Sequence, residues 1–213
     1  LKASMRLKDG LKTLSAERIW AEIQKLFLAP DPSRALLWMR QVGVLSQLLP
    51  ESEKWGIDAF PALMRAENEH GWRVDPIVRL MSIVPKRLDS VNDIAARWRL
   101  SNADRDRMRA WSNLSAQLPK NDAVLRALAY RHTKQATVDG LVVQTAMQND
   151  PELAEFAERL ETWTVPDMPV KGADLIKQGF EKGPALGAKL KELEEKWIES
   201  DFRLEHGELM ALI

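Results

Sequence analysis

The stretch SVNDIAARWRLSNADRDRMRAWS, residues 90–112, decides the fold class. Ser90 stands three residues before Asp93, and Ser101 three before Asp104. A serine followed at that distance by an acid is a helix-start pattern: the hydroxyl accepts the third backbone N–H, and the carboxylate reaches back to the first. Behind Ser90, Val91, Ile94, Ala95 and Trp98 recur at three- and four-residue steps, and behind Ser101 come Met108 and Trp111. That period is a helix with one apolar stripe. The pair therefore predicts two short helices joined tightly.

The same period extends in both directions, and no alternating apolar and polar run is long enough for a strand. Ser15 is placed to cap a helix carrying Ile19, Ile23, Leu26 and Phe27, which should end at Ala29-Pro30. Asp31-Pro32, Asp75-Pro76 and Asp150-Pro151 each set a capping carboxylate before a proline suited to a first helical turn. Further helices are expected over residues 121–132, 136–148 and 151–163. The segment Thr164-Val165-Pro166-Asp167-Met168-Pro169 stops the last of them. After it, Gly172, Gly179, Gly183 and Gly187 punctuate a tail whose main helix carries Leu186, Leu190, Leu193 and Trp197 on one face. The expected architecture is all-α, with about ten helices in an irregular bundle or curved array. Its parts are residues 1–70, a helical body at 71–165 and a small Gly/Pro-punctuated helical tail at 166–213. Trp20, Trp38, Trp55 and Trp72 are expected to pack between helices.

Composition narrows the function. Lys plus Arg and Asp plus Glu both total 31 in 213 residues, with 45% hydrophobic residues, which suits a folded domain large enough to bury a core. With no cysteine, disulfides, thiol nucleophiles and thiolate metal sites are excluded, and His70, His132 and His206 stand apart from one another. No run approaches the ~18 apolar residues of a membrane helix, and Leu1 to Gly10 carry charges where a signal core would be apolar. A cytoplasmic protein is expected, and a chain opening on Leu1 is expected to be a piece of a longer one.

The zero net charge hides an asymmetry: residues 1–40 hold eight basic and four acidic side chains, residues 86–134 eleven and five, and residues 150–213 eight and fifteen. The first two stretches are net positive and suit a polyanionic partner, although solvated helix faces carry charge in the same way. Arg97, Arg99, Arg105, Arg107 and Arg109 fall within thirteen residues, with Arg105 and Arg109 one turn apart. Guanidinium groups bind phosphate bidentately, so this cluster is a candidate RNA-backbone contact. Local pairing of Arg97 with Asp93, and of Arg109 with Asp104 or Asp106, is the competing use. Lys171-Gly172 is the second candidate, since a glycine at a helix start exposes N–H groups to a phosphate and the lysine adds charge. A plain turn explains it equally. No phosphate loop, dinucleotide fingerprint, nucleophile elbow or metalloprotease helix occurs. Glu69-His70 is the nearest approach to a catalytic pair, and a histidine closing a helix accounts for it.

Leu14-Ser15-Ala16-Glu17-Arg18-Ile19-Trp20-Ala21-Glu22-Ile23 resembles the neck motif of bacterial tRNA nucleotidyltransferases (CCA-adding enzymes) and the related poly(A) polymerases. Trp38 to Leu45 with Leu48-Leu49-Pro50-Glu51 resembles the family's next helix. Pro169 to Leu175, Gly183 to Gly187 and Leu193 to Trp197 resemble its tail. The resemblance covers about residues 11 to 202, and its ends are more specific than its middle. It implies the neck, body and tail of such an enzyme, with Ser15, Glu17, Arg18 and Glu22 as a bracing motif built on a capped helix start and an Arg18/Glu22 pair. It implies a head domain carrying the catalytic residues, two magnesium ions and ATP or CTP. None of the head's motifs occurs here, so this chain alone is expected to be inactive. The implied partner is tRNA or another RNA 3′ end, held by its backbone through Arg97, Arg99, Arg105, Arg109 and Lys171, and a homodimer is compatible. CCA addition and poly(A) addition both fit, since the selecting residues lie in the head. Arg79-Leu80-Met81-Ser82-Ile83 stands where some relatives insert a His-Asp phosphohydrolase, so no phosphatase activity is expected. The competing class is a helical protein-interaction scaffold without RNA affinity.

Overall fold

A computed structural model describes residues 8–52, 57 and 59–213. Among them the chain is all-α: a 3-10 helix at Lys8–Thr13 and thirteen α-helices, ten of them seven residues or longer. The helices are α1 (Ala16–Phe27), α2 (Ser33–Gln41), α3 (Val44–Leu48), α4 (Ala59–His70), α5 (Pro76–Ser82), α6 (Leu88–Trp98), α7 (Asn102–Ser112), α8 (Asp122–Arg131), α9 (Lys134–Gln148), α10 (Pro151–Thr162), α11 (Gly172–Lys177), α12 (Pro184–Glu199) and α13 (His206–Met210). They fall into two compact units, Leu1–Thr162 and Trp163–Ile213. No helix among the described residues is long and apolar enough to cross a membrane.

The first unit is built around α9. Its run Ala136-Thr137-Val138-Asp139-Gly140-Leu141 is buried throughout, and the helix packs against α4, α5, α7, α8 and α10. A helix apolar on nearly every side has no solvent face to offer, so it takes the middle. Thr133 opens it by accepting the Ala136 N–H at 3.1 Å, and Asn149, at φ 52°, closes it in the left-handed conformation. The buried hydroxyls of Thr137 and Thr145 bond the carbonyls four residues back, so their burial leaves no lost hydrogen bond. A Cβ on Gly140 would stand 2.9 Å from Leu118 Cδ1, which explains the glycine by the closeness of the 112–118 loop.

Most of the expected caps form. Ser15 accepts the Arg18 N–H at 3.3 Å, Ser101 the Asp104 N–H at 3.1 Å, and Asp75 the Ile77 N–H at 2.8 Å. Ser90 does not cap: α6 begins at Leu88, and Ser90 is buried in its first turn. Asp89 does the acidic work at this helix start, accepting the Ser90 N–H at 2.7 Å and pairing with Arg87. Trp20 is buried and stacks on Trp98 with ring centroids 5.4 Å apart. Trp72, half-buried, stacks on His70 at 4.7 Å. Trp38 departs from the packing expectation. Leu36 takes the core position of α2, and two residues on, about 200° round the helix, Trp38 stays 42% exposed with the Arg34 guanidinium 4.5 Å over its ring. Trp55 lies outside the described residues.

The second unit closes on a small apolar centre of Leu175, Leu193, Trp197 and Leu209. Phe202 stands between two tryptophans, 5.4 Å from Trp163 and 4.9 Å edge-on from Trp197. α12 packs against both α11 and α13.

Candidate nucleic-acid interface

The arginine cluster of α6 and α7 divides into inward and outward members. Arg97 meets Glu51 through both guanidinium ends, at 2.9 and 2.6 Å, and that hydrogen-bonded carboxylate raises its pKa. The local partner Asp93 adds only its field. Arg107 turns fully inward. Its Nε and Nη2 reach the Asp139 carboxylate at 2.7 Å each, and its Nη1 reaches Asp75 at 2.8 Å. Burial opposes the Arg107 charge, but the two carboxylates outweigh it and its pKa is raised. Burial pushes the Asp139 carboxyl up, while Arg107 and Gln135 pull it the other way. Both arginines brace helices and have few donors left for a phosphate.

Arg99 points outward, while Arg105 and Arg109 are half-exposed, at 34% and 41%. Arg99 closes α6 in the left-handed conformation at φ 49° and is 71% exposed. Among the described residues it pairs with Glu17, at 2.8 Å, and this bond holds the Glu17 carboxyl below its ordinary value. Arg105 bonds Asp106 at 3.0 Å, and Arg109 bonds Asn92 at 2.7 Å with Asp106 at 3.7 Å. Asp106 is lowered by Arg105 first and by Arg109 after it. Exposed pairs of this kind contribute little, so an incoming phosphate displaces them at small cost.

The neck motif is anchored from outside itself. Ser15 caps α1 and Glu17 binds Arg99, while Glu22 meets Lys25 at 2.9 Å where the sequence suggested Arg18. The elements behind it are tied by Arg79, only 2% exposed, whose Nε and Nη2 grip Glu67 at 3.0 and 2.6 Å. Its Nη1 binds the Phe27 and Ala29 carbonyls at the end of α1. One guanidinium thus joins α1, α4 and α5 and satisfies carbonyls that the helix end leaves open.

In the second unit Lys171 is exposed and its side chain extends to solvent. Its backbone N–H, which would face an anion, donates to Asp174 at 3.0 Å, a bond that lowers the Asp174 carboxyl. A Cβ on Gly172 would stand 3.4 Å from Leu186, an ordinary contact, so the space beside α12 does not demand a glycine. Among the described residues no three His, Asp or Glu side chains converge into a set that could hold a metal ion.

Sequence reasoning named Arg107 and Arg79 without assigning them their bracing roles, and placed Trp38 in the packing. Arg107 carried a signal: it precedes Trp111 by four residues and so shares the buried face of α7.

Two family models match the chain. Residues 77–213 match the family described as "tRNA nucleotidyltransferase domain 2 putative", and residues 1–55 match the one described as "Probable RNA and SrmB- binding site of polymerase A". All of the chain aligns with 49% of the mitochondrial CCA tRNA nucleotidyltransferase 1 of Mus musculus at 25% identity, and with 49% of its Homo sapiens counterpart at 23%. A multifunctional CCA protein of Vibrio vulnificus is 37% identical over 70 residues, 33% of this chain and 16% of that protein. The chain spans about half the length of the mammalian relatives.

Proposed function

Because the chain belongs to the tRNA nucleotidyltransferase domain 2 family, we propose that it is the RNA-holding helical part of a template-independent RNA nucleotidyltransferase. It grips tRNA or another RNA by its backbone while a catalytic head adds nucleotides to the 3′ end. The curated relatives favour CCA addition over polyadenylation. The observation that carries the proposal is the arginine set of α6 and α7. Arg99, Arg105 and Arg109 sit on one helix pair, exposed or half-exposed, while their neighbours Arg97 and Arg107 fix that pair to the core. Rigid presentation of guanidinium groups suits phosphate binding, since little side-chain and backbone freedom remains to be lost. Lys171 adds a cation from the second unit. The setting proposed is the cytoplasm. A homodimer through these helices is a separate part of the proposal and is checked by sedimentation at rising concentration.

The test is fluorescence anisotropy of labelled tRNA titrated with the chain at low and moderate salt, beside an Arg105→Glu/Arg109→Glu variant. Binding should fall steeply with salt, and the variant should flatten the log-log slope by about one unit per lost phosphate contact. Salt-insensitive binding, or equal binding by the variant, rejects the assignment and favours the protein-interaction scaffold.

A further inference from the structure

Away from the arginine face, the first unit holds a half-open cavity of about 810 Å³ framed by the α4–α5 loop, α5, α9 and α10. That volume lies in the range of small-molecule sites. Its walls are apolar, with Leu28, Val78, Val138 and Val142 among them, and the half-buried ring of Trp72 forms one side. Beside Glu67 and Arg73, which also line it, the polar groups gather at two places, both rich in carboxylates. At one, the buried Asp139 and the half-exposed Asp75 share the single guanidinium of Arg107. At the other, on α10, Glu158 and Glu161 lie one turn apart, exposed, and no described residue pairs with either carboxylate.

The charge count does not balance. Glu67 is neutralised by Arg79, and Arg107 neutralises one of Asp75 and Asp139. Arg73 in the lining and the Lys134 ammonium, 2.8 Å from the Glu161 carbonyl at the rim, oppose the remaining carboxylate and both rim glutamates, so one negative charge is in excess. Acceptor capacity is unfilled as well. Two carboxylates offer about eight lone-pair sites, and the described donors occupy six: three on Asp139 from Arg107 and Gln135, and three on Asp75 from Arg107 and the Ile77 and Val78 N–H groups. Anionic ligands, RNA included, are repelled from such a site. A cation with an apolar stem satisfies every part of it, because an ammonium group supplies up to three donors and an indole ring attracts it further.

We propose that this cavity binds a linear aliphatic polyamine, with one ammonium group at the Asp75–Asp139 pair, the methylene chain along the valine and tryptophan walls, and a second ammonium at Glu158 and Glu161. The occupant is distinct from RNA, and the site stands or falls independently of the arginine face.

Isothermal titration of the 213-residue chain with spermidine at moderate salt tests it, with cadaverine and hexylamine as probes of two charges against one. Saturable one-to-one binding is expected, with hexylamine at least tenfold weaker than cadaverine. Glu158→Gln/Glu161→Gln should weaken spermidine at least tenfold with an unchanged melting curve, because those side chains are exposed. Trp72→Ala, whose fold is checked by circular dichroism, should weaken it as well. Absence of saturable heat, equal affinity in the double variant, or equal displacement by magnesium at matched ionic strength each overturns the proposal.

Discussion

Arg99 Nη1 lies 2.8 Å from Glu17 Oε1, joining the turn between α6 and α7 to the first turn of α1 across 82 residues of sequence. The pair is exposed at both ends and holds its geometry weakly. Its consequence is electrostatic: Glu17 offsets one of the three arginines of the proposed contact. Glu17→Gln should therefore tighten tRNA binding by roughly two- to fivefold, the range an exposed charge pair supports. The thermal midpoint should hardly move. Anisotropy and a melting curve on the same preparation check both, and weaker binding by the variant would show that Glu17 positions Arg99 instead of masking it.

Arg107 and Asp139 make a different prediction, because Asp139 is almost wholly buried. Removing one member of a buried pair leaves its partner without compensation and costs about 3–5 kcal/mol. Arg107→Met should show that loss in urea denaturation at neutral pH. Asp139→Asn should cost less, since Asp75 still holds Arg107. The sign of the pH dependence follows from burial, which raises the Asp139 carboxyl. An acid raised in the folded state holds a proton that the unfolded chain releases, so stability falls as pH rises. With Arg107 gone this effect is stronger, and the Arg107→Met deficit should shrink on moving from pH 7 to pH 5. A deficit independent of pH would place the loss in packing.

These two pairs mark the limit of what the sequence discloses. Ser15, Ser101 and Asp75 act on N–H groups two or three residues away, so their caps were legible from spacing alone. The helix over 136–148 was legible as a helix, while its central burial was not, because Thr137, Asp139 and Thr145 interrupt its apolar residues. The partners of Arg97, Arg99 and Arg107 lie 46, 82 and 32 residues away, and no local pattern names them. Ser90 misled because Asp89 meets the same need one residue earlier. Trp38 misled because a large aromatic ring suggests a core, while the register of α2 gives the core position to Leu36. Propensity acts over one turn, and tertiary contacts select among the surface cations afterwards.

Lys86 supplies the clearest pH signature. Its ammonium donates to the Ser115 carbonyl at 2.6 Å and lies 5.6 Å from the Trp111 ring centre, and burial pulls its pKa down to about 8 from 10.5. Between those values the unfolded chain keeps a proton that the folded chain has lost. Stability attributable to this residue therefore rises with pH across that window and is flat below it. Lys86→Met removes the titrating group, so the difference in urea midpoint, wild type minus variant, should increase from pH 8 towards pH 10 and stay constant from pH 6 to pH 7. The variant also loses the bond to Ser115, which shifts the difference at every pH alike and leaves its slope intact. A flat difference across pH 8 to 10 would mean that the Lys86 ammonium remains fully hydrated.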